Sequence, residues 1–238
     1  MALALLWGWG AAAVGSPLIL PAPGAVLSRL AALQSSGLWQ DALASALKVL
    51  ATLACVLVGG VGAGVILGLN PWLYEAVRPL LLAVQAIPVV SWLGLLIFAL
   101  GIGWRAPVFI AVFVFLPIAV FTTVSGLKTL SSELLEMARL YEVPALKRWR
   151  DLYLGALAPC VGTIVNTVCG GAWKTVLVAE YLCGGQGLGV RLAWARQTVD
   201  VEAVYALTLF ALILGLAVEG LLRRLSAPFC KRWTSCSE

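Results

Sequence analysis

Residues 106–127, APVFIAVFVFLPIAVFTTVSGL, run for 22 positions without one charged side chain. A helix crosses the hydrocarbon of a bilayer with about 20 mainly apolar residues, so this stretch predicts a transmembrane helix. The stretch that follows has the opposite character. Residues 128–151, KTLSSELLEMARLYEVPALKRWRD, carry nine charges, although the whole chain has only 16 basic and 11 acidic residues.

The remainder of the chain repeats the apolar pattern. Of the 238 residues, 62% are hydrophobic and 11% are charged, and the mean hydropathy is +1.00. A soluble domain carries about 25% charged residues, so this chain cannot cover a water-exposed surface. The composition predicts an all-α, polytopic membrane protein with a single transmembrane domain of about six helices, at residues 1–20, 42–69, 79–104, 106–127, 158–182 and 203–222.

The first predicted span could instead be a cleaved signal peptide. A signal peptide begins with positive charge, and no charged residue precedes Arg29. An uncleaved span is therefore the favoured interpretation.

Basic residues orient the predicted bundle. The loops at 70–78 and 128–151, together with the C-terminal tail, hold ten of the sixteen lysines and arginines. Cytoplasmic loops of membrane proteins are enriched in these residues. The count predicts that both termini and the charged loop 128–151 face the cytoplasm. It also explains the net charge of +5 without nucleic acid, which is not a predicted partner.

Ordinary catalytic and metal-binding chemistry is hard to build from this sequence. It contains no histidine, which excludes Ser-His-Asp and Cys-His catalysis and most zinc sites. The six cysteines form no CxxC pair and are predicted to be small buried hydrophobes. We therefore predict no catalytic residue, no cofactor and no metal.

The charged loop carries a helical pattern of its own. Ser131 or Ser132 can cap a helix, and apolar residues then recur at helical spacing on one face at Leu134, Met137, Ala138 and Tyr141. Pro144 disfavours helix at Val143, which predicts two short helices joined by an elbow. The loop could be an ordinary solvated connection, but an exposed apolar face usually has a partner.

This loop resembles the "EAA" loop of bacterial ABC-importer permeases. The resemblance is carried by Glu136-Met137-Ala138, Glu142, Leu154 and Pro159. The sequence departs from the family pattern at Met137, where Ala is usual, at Glu142, where Gly is usual, and at Gly155, where Pro is usual.

Other family landmarks follow in the expected order over nearly the whole chain. They are Leu20-Pro21-Ala22-Pro23, Ala86-Ile87-Pro88, Gly101-Ile102-Gly103, Leu116-Pro117-Ile118, Ala172-Trp173-Lys174, Ala179-Glu180 and Gly187-Leu188-Gly189. Their style is similar to that of the nitrate/sulfonate/taurine-type branch.

The resemblance implies a permease subunit in the bacterial cytoplasmic (inner) membrane. A separate cytoplasmic ABC ATPase dimer would dock on the loop, an extracytoplasmic binding protein would deliver a small solute, and a second permease copy would complete a homodimer. The ATPase-coupling residues would be Glu136, Met137, Ala138, Arg139 and Glu142. The chain lacks GxxxxGK[ST], so it is not predicted to hydrolyse ATP itself.

Glu142 is the departure with a conformational consequence. A glycine there would allow positive φ, which a glutamate adopts less readily. Either Pro144 remodels the elbow, or the ATPase offers a matching basic group.

Four charges fall inside predicted spans. Lys174 could line the pathway and attract an anionic substrate, or bond to carbonyls or a neighbouring helix. Glu180 lies about 600° further around the same helix, so the two are not an intrahelical pair. Both are candidate pathway or gate residues, and Glu180 could equally belong to a structural pair. Lys48 is expected to snorkel to the headgroups. Near the inner end of the last span, Glu219 and Arg223 are spaced for an i,i+4 pair.

A rival interpretation is a secondary transporter or channel that is not driven by ATP. Such proteins commonly show inverted repeats or several polar groups at mid-membrane, and the sequence shows little of either.

Overall fold

The structure, a computed structural model, describes the backbone of residues 2–234 and the side chains of residues 6–131 and 133–224. Every regular element in this part of the chain is helical. The helices are α1 Ala2–Val14, α2 Pro23–Gln34, α3 Leu38–Leu69, α4 Pro71–Ala86, α5 Val89–Leu100, α6 Arg105–Lys128, α7 Ser132–Leu140, α8 Ala145–Cys183, α9 Leu188–Gln197 and α10 Val201–Thr234.

Four of these helices are long and apolar enough to cross a membrane: α3, α6, α8 and the Val201–Arg224 part of α10. The α4–α5 pair makes a fifth if it is one bent span. The predicted all-α, polytopic fold is confirmed. The first apolar run forms the 13-residue helix α1, which ends before Gly15, where φ is +63°.

The third predicted span, 79–104, is not one straight helix. α4 begins at Pro71, and the chain breaks at Ile87 and Pro88 before α5, with a 96° bend. Ile87 is extended, with φ −83° and ψ 129°, because the proline that follows disfavours helical geometry at the preceding residue. The sequence signal for this break was present in Ala86-Ile87-Pro88.

Close packing of α3 against α6 explains the glycines of the second predicted span. A Cβ added at Gly60 or Gly64 would lie 2.5 Å from the Cβ of Ala119 or Thr123, respectively. Small residues allow transmembrane helices to approach closely. The predicted role of this glycine-rich helix in packing is confirmed. Gly62, on another face, has open space around it.

Helix α8 is the centre of the bundle. It packs against α3, α6, α9 and α10, and its buried side chains Ile164, Val168 and Val176 belong to the main apolar core. The indole N–H of Trp173 donates a hydrogen bond to the Ala211 carbonyl at 3.1 Å. One end of α8 lies in the charged stretch, and the other end leads into the loop before α9.

Candidate functional site

The charged stretch folds as the predicted elbow. α7 ends at Leu140 and α8 begins at Ala145, after Pro144. The N–H of Val143 donates to the Ala138 carbonyl and the N–H of Glu142 donates to the Arg139 carbonyl, both at 3.0 Å. These two bonds form a Schellman motif, whose C′ residue must adopt positive φ.

Glu142 occupies that C′ position with φ +50°. The sequence left open whether Pro144 remodels the elbow or the ATPase offers a basic group to Glu142. The backbone of the turn keeps the positive φ that a glycine at position 142 would adopt. The cap at the other end of α7 is Ser131, whose hydroxyl oxygen accepts a hydrogen bond from the Leu134 N–H at 3.3 Å. The predicted cap is confirmed at Ser131.

Apolar side chains project from this elbow. Leu140, Tyr141 and Leu146 are 82%, 79% and 84% exposed, and Met137 is also exposed; we call these four residues the elbow surface. Ala138 is buried beneath it, whereas Glu136 and Arg139 are exposed. A cavity of about 260 Å³ opens beside the elbow and is lined by Leu134, Met137, Ala138, Tyr141, Val143, Lys147, Arg148, Asp151 and Leu152.

A buried ion pair lies near the opposite end of α8. The Nζ of Lys48 donates to Oε1 of Glu180 at 2.6 Å and also to the Gln186 carbonyl. Oε2 of Glu180 accepts from the Ser45 hydroxyl at 2.7 Å and from the Gly189 N–H at 3.0 Å. The Ser45 oxygen in turn accepts from the Leu188 N–H at 2.9 Å. Both carboxylate oxygens therefore have partners.

The loop 184–189 wraps tightly around this carboxylate. A Cβ on Gly187 would lie 2.5 Å from Cδ of Glu180, and a Cβ on Gly189 would lie 2.6 Å from its Cβ. Gly187 also has φ +129°, which L side chains rarely adopt. We call Ser45, Lys48, Glu180 and the loop 184–189 the latch.

Two further ion pairs hold the segment that follows the latch. Arg191 on α9 pairs with Asp41 on α3 and donates to Oγ of Ser36 at 2.8 Å. Arg29 on α2 pairs with Asp200, its Nε lying 3.1 Å from Oδ2. Helix α9 is therefore fixed to α3 through Arg191, and the turn between α9 and α10 is fixed to α2 through Asp200.

Asp200 also caps α10, because its Oδ1 accepts from the Ala203 N–H at 3.0 Å. Burial acts to raise the pKa of this carboxyl, but the hydrogen bonds from Arg29 and Ala203 and the charge of Arg29 outweigh it. The pKa of Asp200 consequently lies below its usual value.

Lys174 lies on a different face of α8 from Glu180. It helps to line a cavity of about 280 Å³ between α8, α9 and α10, whose wall is otherwise mainly apolar and includes Trp173, Leu177, Leu192, Leu212 and Glu219. Lys174 makes no ion pair or hydrogen bond with the described side chains. Glu219 pairs with Arg223 at 2.6 Å, which confirms the predicted i,i+4 pair.

Comparison with known proteins identifies the family of the chain. The model of the family described as "Binding-protein-dependent transport system inner membrane component" matches residues 60–228. The chain belongs to this family. The permease is 36% identical over 234 residues to the riboflavin transport system permease protein RibX of Chloroflexus aurantiacus, which covers 94% of this chain and 86% of the relative.

A second relative is the taurine transport system permease protein TauC of Escherichia coli, 27% identical over 223 residues that cover 89% of this chain and 80% of TauC. The fold is similar to that of a chain of the MetNI methionine ABC transporter, with a TM-score of 0.66 at 16% identity, covering 82% of this chain and 97% of that one. The predicted permease function, inner-membrane location and taurine-type relationship are confirmed. The rival secondary transporter or channel is not favoured.

The predicted site residues lie in three separate places: the elbow, the latch and the cavity beside Lys174. One expectation was wrong: Lys48 does not snorkel, since it is fully buried and bonded to Glu180. The spacing within one helix excluded Lys174 as the partner of Glu180 but did not identify Lys48. A useful signal was available, because Lys48 and Glu180 are opposite charges in two otherwise apolar spans. Nothing comparable pointed to the backbone donors of Leu188 and Gly189.

Proposed function

We propose that this permease is the translocation subunit of an ATP-driven importer, coupled through residues 131–155 to a separate ATPase. The observation that carries the proposal is the elbow surface, where Leu140, Tyr141 and Leu146 are exposed outside the apolar spans. Exposed apolar patches rimmed by charge commonly mark protein–protein contacts. An ATPase dimer in the cytoplasm is the partner that an importer permease needs.

We further propose that the elbow and the C-terminus face the cytoplasm, and that α1 with the turn after it makes a sixth crossing, which places the N-terminus on the same side. Lysine and arginine are concentrated in residues 128–151 and in the C-terminal tail, which supports this orientation. The latch and α9 then face the extracytoplasmic side, where a substrate-binding protein would arrive. The proposal includes a second copy of the chain, because two permease subunits enclose one path.

The elbow supplies a mechanism for coupling. Glu136, Met137 and Arg139 would present one turn of α7 to a groove on the ATPase, with Ala138 packed beneath them. Glu142 would set the angle at which α7 meets α8. Because α8 continues from Ala145 to Cys183, movement of the elbow is passed to a helix in the bundle centre. Hydrolysis takes place on the ATPase, since the chain carries no phosphate-binding loop of its own.

Lys174 is proposed to contact the solute on its way. It contributes a positive charge to a cavity that is otherwise mainly apolar, and its Nζ is free of described acidic partners. The relatives are named for riboflavin and taurine; a small solute with an acidic or polar group and an apolar part would suit such a wall. Lys174→Met should lower uptake while leaving ATP hydrolysis intact.

The test of coupling uses the permease co-expressed with its ATPase and reconstituted with the binding protein in vesicles. Glu136→Lys and Met137→Asp, both at exposed positions of α7, should leave the complex assembled but separate ATP hydrolysis from solute uptake. Glu133→Lys is the matched control, because Glu133 is exposed on the same helix but lies outside the turn 136–139 that is proposed to enter the ATPase groove. Normal uptake by both coupling variants would remove the elbow from the mechanism.

A further inference from the structure

We propose that Glu180 is a positioning residue that fastens the segment 184–200 to α3 and α8, so that this segment moves with the far end of α8. The proposal rests on the proposed importer function and adds an element that conveys movement from the elbow to the opposite face. Glu180 and Lys48 are 1% and 0% exposed, so neither is accessible to a passing solute. Their role is therefore argued from what they hold in place.

The bonding of Glu180 joins three parts of the chain. Its carboxylate belongs to α8, the Lys48 and Ser45 donors belong to α3, and the Gly189 N–H belongs to the first turn of α9. Lys48 also donates to the Gln186 carbonyl inside the connecting loop. One carboxylate thus holds both the loop and the start of α9, in addition to the neighbouring span.

The shape of the loop makes this attachment specific. Gly187 and Gly189 bring backbone so near to Glu180 that no side chain fits at either position. The Gly189 N–H needs an acceptor, since a buried backbone donor without one is costly. A carboxylate or its neutral amide meets that need, and a lysine at position 180 cannot.

The path from elbow to latch is a single helix. Between Ala145 and Glu180, α8 runs for roughly 50 Å at about 1.5 Å per residue. Arg191–Asp41 and Arg29–Asp200 then fix the remainder of α9 to α3 and α2. A displacement of α8 relative to α3 would therefore strain the latch, because its hydrogen bonds join both helices to the start of α9.

The experiment measures ATP hydrolysis by the reconstituted complex with and without the binding protein. The decisive variant is Lys48→Met with Glu180→Leu, which leaves no buried charge unpaired but removes the acceptor for the Gly189 N–H. Gly187→Ala tests the same contact from the loop side. Gly103→Ala is the control, because a Cβ there meets nothing within 4 Å and its backbone contacts the same region through the Cys183 carbonyl.

The latch variants should assemble and keep their basal hydrolysis, while stimulation by the binding protein falls by between about 5- and 150-fold, the range in which coupled sites commonly lie. Trypsin added from the extracytoplasmic side should also cleave faster after Arg191 and Arg196 in these variants. Gly103→Ala should match the unmodified permease in all measurements.

Two results would overturn the proposal. Unchanged stimulation in the double variant would show that α9 does not depend on Glu180. A parallel fall of assembly, basal hydrolysis and stimulation in both latch variants would reduce the cluster to ordinary fold stability. Failure of the importer function itself is distinguishable, because the unmodified permease would then bind no ATPase or show no stimulation by a binding protein.

Discussion

The elbow and the latch lie on the two ends of α8 and are built in opposite ways. The elbow exposes Leu140, Tyr141 and Leu146 and leaves its apolar face without a described partner on the same chain. The latch buries Lys48 and Glu180 and supplies each carboxylate oxygen with donors. The first region is suited to an external partner, whereas the second is complete within the chain.

Because of this difference, mutations in the elbow should change coupling to another subunit, whereas mutations in the latch should change the stability of the fold. Exposed residues of the elbow contribute little to folding, so changes there should alter the interaction with another subunit. Residues of the latch are fully desolvated, so removing one partner leaves a charge without compensation. Four predictions test this contrast, in order of decreasing effect.

The largest effect is expected for Glu180→Leu alone. Lys48 would stay buried without its carboxylate, at a cost of about 3–5 kcal/mol in the free energy of unfolding. The measurement is a titration of the purified permease in mixed micelles with a denaturing detergent. Glu136→Leu on the elbow is the comparison and should change this free energy by less than about 0.5 kcal/mol. Equal effects in the two variants would break the contrast.

Removing both charges should recover most of the free energy of unfolding that Glu180→Leu loses. Replacement of a buried ion pair by apolar residues of similar size is often neutral or stabilising, so Lys48→Met with Glu180→Leu should unfold within about 1–2 kcal/mol of the unmodified permease. The four proteins of this double-mutant cycle are compared in the same micelles. A double variant as unstable as Glu180→Leu would mean that the hydrogen bonds to the loop, and not the charges, dominate.

The fold was largely predictable from sequence because its determinants are local. The apolar runs of α3, α6, α8 and α10 are long enough to be recognised, and Pro144 marks the elbow. The prediction of one continuous third span missed the break at Ile87 and Pro88, because the helix ends there although the hydropathy of the chain does not change. Hydropathy reports the environment of a residue and carries no information about backbone direction.

The elbow and the latch also differ in how far the sequence could predict them. The elbow is a continuous stretch whose spacing can be read, and its resemblance to a family pattern named Glu136 and Ala138. The latch joins residues more than 130 positions apart, and half of its donors are backbone N–H groups with no residue identity to read. Only the opposite charges of Lys48 and Glu180 hinted at it, and pairing them required knowing that α3 packs on α8.

A smaller effect concerns two turns of the same type, one in the elbow and one after α9. Val199 after α9 occupies the same C′ position as Glu142 after α7, with φ +57° and +50° respectively, and the Asp200 N–H donates to the Ala195 carbonyl as Val143 does to Ala138. Both side chains are exposed, so glycine removes strain without removing packing. A β-branched residue is strained more at positive φ.

Val199→Gly should therefore stabilise its turn by about 1 kcal/mol, after the entropic penalty of glycine, and Glu142→Gly should stabilise the elbow by less. Amide hydrogen exchange at the last turns of α9 and α7 reports each effect locally. Glu133→Gly, inside α7 where φ is helical, should have the opposite sign. A larger gain at Glu142 than at Val199 would contradict the role of β-branching.

The smallest effect is a dependence on pH that only the latch side should show. Asp200 has a pKa below the usual 3.8, so its pair with Arg29 stabilises the fold above that value and is lost as pH falls through the lowered pKa. Both side chains are partly exposed, and the contribution of this pair to the free energy of unfolding should stay below about 1 kcal/mol.

Stability is measured from pH 5 to pH 3 in the permease and in Asp200→Asn. The difference between the two should shrink as the pH falls below about 4, because the protonated carboxyl then resembles the amide. Arg150→Gln, which removes an exposed pair at the base of the elbow, should leave the pH profile unchanged; a profile altered by Arg150→Gln and unaffected by Asp200→Asn would reverse the assignment of the titrating group.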